Sequence, residues 1–117
     1  MTFQELGLRQ EILDAVAELG FVNPMPVQEQ VIPYMLTHEN DLVALAQTGT
    51  GKTAAFGLPI LNMVNVEQRK IQSLVLAPTR ELCIQIANDI KNFASKMRGV
   101  KVVPVYGGES IVSQYKQ

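Results

Sequence analysis

The stretch DLVALAQTGTGKTAAF, residues 41–56, most restricts how this chain can fold. Its first six residues, DLVALA at 41–46, form a short unbroken apolar run, the pattern of a strand buried on both faces. Gly49 and Gly51 follow within five residues, and then Lys52, Thr53, Ala54 and Ala55 open a helical pattern. A buried strand that turns at once into a helix is the first half of a strand–helix–strand crossover, the unit from which parallel sheets are built.

The rest of the chain repeats that order. SLVLA at 73–77 is a second buried-strand pattern, and KVVPV at 101–105 is a third, with Pro104 restricting it to an edge or a strand end. Between them Leu82, Ile86, Ile90, Phe93, Ala94 and Met97 follow the 3.6-residue period, which predicts a helix over 79–98 capped by Gly99. Before the crossover, Leu8, Ile12, Val16 and Leu19 mark an amphipathic helix that stops at Gly20. NPMP at 23–26 is a rigid turn. Pro26 opens a further helix to about Thr37, which Pro33 is expected to bend, as the Gly57/Pro59 pair is expected to bend the helix after Gly51. The reading is α/β: residues 1–38 form N-terminal helices, and residues 39–117 the first part of a lobe built on a parallel sheet. Three strands make a thin sheet, so the chain is expected to be the opening part of a larger domain.

With 117 residues, the chain is at most one domain, and 47% hydrophobic against 18% charged residues describes a globular rather than a disordered chain. Ten Lys and Arg against eleven Asp and Glu give a net charge of −1, so charge alone names no nucleic-acid partner. Cys83 is the single cysteine and cannot form an internal disulfide; in its helical pattern it reads as core filler, and the absence of cystines fits a reducing compartment. His38, the only histidine, has no second His or Cys near it to share a metal. No apolar run approaches the ~20 residues of a membrane span. A cytoplasmic protein without membrane contact is expected.

The loop Ala46-Gln47-Thr48-Gly49-Thr50-Gly51-Lys52-Thr53 has the composition of a phosphate cradle. Its glycines allow backbone N–H groups to converge on phosphate oxygens at the positive end of the following helix. Lys52 would place a cation on the β and γ phosphates, and Thr53 a hydroxyl on Mg²⁺. Ala46 stands where the usual pattern has glycine. The plain alternative is a glycine-rich turn with a solvated lysine. The buried strand before it and the helix after it favour phosphate, because ligands in open α/β sheets bind at the carboxyl ends of strands.

Three further segments surround the cradle. GFVNPMPVQ at 20–28 resembles the Q motif of DEAD-box RNA helicases, with Phe3 matching the aromatic that the family carries upstream; APTREL at 77–82 resembles its motif Ia, and YGG at 106–108 its paired-glycine motif. The resemblance spans essentially the whole chain and implies a P-loop, RecA-like lobe, the first of two, in an ATP-dependent RNA helicase. It implies that Gln28 reads adenine, and the chemistry agrees, since an amide donates and accepts at once and so matches the N6 and N7 edge. It also implies that Phe3 stacks on the base. Read without it, Gln28 is an exposed helix glutamine and Phe3 a residue packed on the helix at 8–19. Pro78, Thr79, Arg80 and Glu81, with Gly107 and Gly108, are implied to touch the RNA backbone without sequence preference. Their plain readings are a helix start capped by Thr79 and a simple turn.

Hydrolysis needs more than a cradle. The family's Asp-Glu-Ala-Asp and Ser-Ala-Thr motifs, and its second lobe with the arginine finger, are not in this sequence. The isolated chain is therefore expected to bind adenine nucleotide at most, without turnover. Two other functions stay open at this point: a non-motor nucleotide-binding module, and a P-loop ATPase acting on DNA or protein.

Overall fold

The computed structural model describes residues 1–44, 51–68 and 70–106. A 3-10 turn at Phe3–Leu6 leads into four helices: α1 Gln10–Glu18, α2 Pro26–Thr37, α3 Lys52–Met63 and α4 Arg80–Phe93. α3 sits at the centre, against α2 on one side and α4 on the other, with α1 lying on both α3 and α4. The hydrophobic periodicity explains the arrangement. Ile12 and Val16 of α1, Ile32 of α2, Leu58 and Leu61 of α3, and Ile90 and Phe93 of α4 meet in one buried cluster. Gly57 of α3 faces Ile90 and Phe93 of α4, where a Cβ would make ordinary contact, 3.4 Å from the Ile90 Cγ1.

Polar and aromatic contacts fix the register of these helices. The Arg9 backbone N–H, at the start of α1, donates to the Asn62 Oδ1 at 2.7 Å and so pins α1 to the end of α3. A chain of rings ties the first turn to the end of α4. Phe3 packs on Phe21 with centroids 6.1 Å apart, and Phe21 meets Phe93 edge-on at 5.9 Å. Such tilted and T-shaped pairs are the favoured arrangement of aromatic quadrupoles.

One expectation is corrected. The last helix ends at Phe93, not at residue 98. Past Ala94 the backbone tightens into three-residue turns, with Ser95 N–H on the Asn92 carbonyl and Met97 N–H on the Ala94 carbonyl. Met97 still packs on the core, so its periodic spacing reflects burial without helix. Among the described residues, 41–44, 71–77 and 101–106 make no β-ladder. Several of their apolar side chains face solvent, with Val43 86% exposed, Leu74 79% and Leu76 85%, while Val102 packs on the core. A helix closes its hydrogen bonds four residues away, whereas a strand depends on neighbouring strands for every one of its own.

Candidate functional site

The site begins at the junction of α2 and α3. Pro26 occupies the first position of α2, where its missing N–H costs nothing, and Gln28 follows at the third. From there the Gln28 side chain folds back on the helix start, and its Oε1 accepts the Met25 backbone N–H at 2.9 Å. Its Nε2 crosses to the other helix and donates to the Gly51 carbonyl at 3.3 Å. These two partners fix the orientation of the amide, because only its oxygen can take the Met25 proton. Gln28 is 2% exposed and is the one buried polar or charged residue among those described. These two bonds use one lone pair and one N–H of the amide, half of its capacity.

Gly51 is the N-terminal cap of α3 and has φ +79°, a backbone conformation that side chains oppose. A Cβ there would run into the Gln28 Nε2 and would approach the Met25 sulfur at 3.2 Å. The glycine is therefore required twice, by its conformation and by the side chain against it. Lys52 and Thr53 form the first turn of α3, which contains no acidic residue. A helix start already carries partial positive charge, and Lys52 adds to it. That potential has no carboxylate to balance it within the turn, and it suits a polyanion such as a phosphate chain. These residues fit a nucleotide. Ala46, Gln47, Thr48, Gly49 and Thr50, the remainder of the proposed cradle, lie outside the described residues.

Phe3 is placed differently from the adenine-stacking expectation. Its ring is 3% exposed, packed on Phe21 in the core, and offers no open face to a base. Burial of an apolar ring at the chain's first helical turn favours this position against Phe21.

The second cluster lies at the start of α4. Thr79 caps it, its Oγ1 accepting the Leu82 N–H at 3.1 Å. Pro78, Arg80 and Glu81 are exposed beside it. The Arg80 guanidinium lies over the ring of Tyr106, with Cζ 5.0 Å from the centroid. One turn further on, the Cys83 thiol donates to the Val105 carbonyl at 3.8 Å. The fold thus joins PTREL to the first residue of YGG. Gly107 and Gly108 lie outside the described residues. Sequence reasoning singled out those glycines and passed over Tyr106, although an aromatic heading a glycine pair was a legible sign of a stacking surface. Cys83, read as filler, is half-buried and links two segments. Among the described residues no three His, Cys, Asp or Glu side chains cluster to hold a metal.

Residues 25–117 match the family model of the DEAD/DEAH box helicases. The chain belongs to that family. Over 108 residues it is 51% identical to the ATP-dependent RNA helicase DeaD of Klebsiella pneumoniae, covering 92% of this chain and 17% of the relative. This DEAD-box chain also resembles the ADP-bound RNA helicase Prp28 of Chaetomium thermophilum, at 41% identity and a TM-score of 0.86, over 97% of its own length and 28% of Prp28. Saccharomyces cerevisiae Dbp5, solved with RNA and ADP BeF3, superposes at a TM-score of 0.80 and 32% identity, over 94% of this chain and 29% of Dbp5. The helical frame around Gln28 and Gly51 is therefore built as in DEAD-box proteins. The chain spans about a fifth of the length of the curated relatives it matches.

Proposed function

We propose that this chain supplies the adenine-nucleotide site, and part of the RNA surface, of an ATP-dependent RNA helicase acting in the cytoplasm. The observation that carries the reading is the Gln28 amide, buried and bonded to both Met25 and Gly51, at the helix start that bears Lys52 and Thr53. In that role Gln28 takes the adenine edge, Lys52 neutralises the β and γ phosphates, and Thr53 offers its hydroxyl to Mg²⁺. Bound ATP and Mg²⁺ would supply the phosphoryl group and its charge neutralisation. Pro78, Thr79, Arg80 and Glu81, with Gly107 and Gly108, face single-stranded RNA or a short duplex through its phosphates and sugars. The similarity to Dbp5, solved with RNA, supports that assignment.

The finer architecture belongs to the same proposal. The segments at 41–46, 73–77 and 101–105 become strands of a parallel, RecA-like sheet once their neighbours are present, and a second lobe closes on the RNA. The first test is nucleotide selectivity, measured by titration calorimetry on this chain. ADP is expected to bind and GDP to bind at least about tenfold more weakly, because guanine presents an acceptor where adenine presents its amine. Equal affinities would overturn the adenine reading. ATP turnover is expected to be undetectable for the chain alone; an RNA-stimulated rate abolished by Lys52→Ala would refute that.

A further inference from the structure

We propose that Tyr106 is a positioning residue for RNA binding: its ring holds the Arg80 guanidinium at the start of α4, ready for an RNA phosphate. The inference rests on the reading of that helix start as an RNA backbone surface and adds a residue to it. The 5.0 Å between Cζ and ring centroid is within the ~6 Å over which an aromatic face attracts a guanidinium. Stacking occupies the flat face of the guanidinium, while its N–H donors lie in the plane and point outward at the edge. The same side chain can therefore rest on Tyr106 and grip a phosphate at once.

The ring is itself anchored. Arg80 and Cys83 stand three residues apart on one face of α4, and Cys83 bonds the carbonyl of Val105, the residue before Tyr106. The helix thus meets the extended segment at two successive residues, at the Val105 carbonyl and at the Tyr106 ring. An exposed arginine free to rotate would lose much rotamer entropy on meeting a phosphate. A ring that already restricts it removes part of that loss before RNA arrives. Neither a glycine pair nor a helix start provides this by itself.

The test uses the full-length enzyme and a fluorescently labelled single-stranded oligouridine, read by anisotropy in the presence of a non-hydrolysable ATP analogue. Tyr106→Leu is expected to weaken RNA binding about two- to fivefold, the range of an exposed cation–π contact. Tyr106→Phe keeps the face and is expected to bind like the wild type. In an Arg80→Ala background Tyr106→Leu adds nothing. In steady-state ATPase assays the RNA KM rises while the ATP KM stays unchanged, which a general packing defect would not produce. Wild-type affinity in Tyr106→Leu, equal loss in Tyr106→Phe, or multiplying losses in the double variant would each overturn the proposal. Should Tyr106→Leu also lose ADP binding, Tyr106→Trp decides: weakened RNA binding with normal ADP binding overturns it, and wild-type binding upholds it. If Arg80→Ala leaves RNA affinity unchanged, the RNA reading of this helix start fails and takes Tyr106 with it. Loss in Arg80→Ala beside no loss in Tyr106→Leu removes Tyr106 alone.

Discussion

Ile12, Ile32 and Leu58 in the helices and Leu74, Leu76 and Val105 in the extended segments are all apolar and opposite in burial. The first group is sealed from water, and the second faces it. The difference lies in where each element finds its partners. α1, α2, α3 and α4 close their own backbone bonds and need only lay one apolar stripe against a neighbour. A strand buried on both faces needs strands beside it and layers above and below it, and the described residues contain none. The candidate sites divide along the same line. Gln28 and Gly51 join two packed helices, whereas Arg80 and Tyr106 join a helix to an extended segment.

The sharpest way to break this comparison is to truncate one side chain in each region. Leu58→Ala, at a fully buried position, is expected to cost about 2–5 kcal/mol in urea unfolding. Leu76→Ala is expected to change stability by under about 0.5 kcal/mol. Comparable losses would mean that the extended segments are packed in solution.

Smaller effects are expected at the helix junction. Gly51→Ala forces a Cβ into an unfavourable backbone region and against Gln28, which predicts a loss of about 1–2 kcal/mol and of ADP affinity. Gln28→Ala deprives the Met25 N–H of its partner and leaves the Gly51 carbonyl with the Ala55 N–H alone. A loss of about 1–3 kcal/mol follows, with selectivity for ADP over GDP abolished in the same calorimetric titration. Retained selectivity would move the base contact to another residue.

At the α4 terminus, Thr79→Ala removes the cap from Leu82 N–H and should cost about 1 kcal/mol. Faster amide hydrogen exchange confined to the first turn of α4 is the signature. The smallest effect is expected at Lys96, whose ammonium lies 2.6 Å from the Glu18 carboxylate. The hydrogen bond to Glu18, and then its charge, raise the Lys96 pKa above the ordinary 10.5. A raised lysine stabilises the fold below that value, and the gain fades as pH climbs above it. Both side chains are well solvated, so Lys96→Met should leave the melting midpoint at pH 7 unchanged.

How much of this was legible beforehand follows from the range of each signal. α1 stopping just before Gly20, α2 opening at Pro26 and the helix beginning after Gly51 were all readable, because caps, prolines and periodicity act within a few residues. Phe3 was not, since whether an aromatic stacks on a ligand or on Phe21 depends on where a distant loop comes to rest. The end of α4 was overshot because Met97 keeps its periodic place in the core after the helix has ended.

By itself the sequence determined the helical elements, the family, and the chemistry available at Gln28, Lys52 and Arg80. Those properties belong to side chains and to bonds closed within one or two turns. Only the tertiary structure decided that Gln28 is buried with its amide tied to Gly51, that Phe3 lies in the core, and that Tyr106 meets Arg80. Each of these is a meeting of segments more than 15 residues apart. Such a meeting is set by which apolar faces bury one another and not by any local preference of the chain.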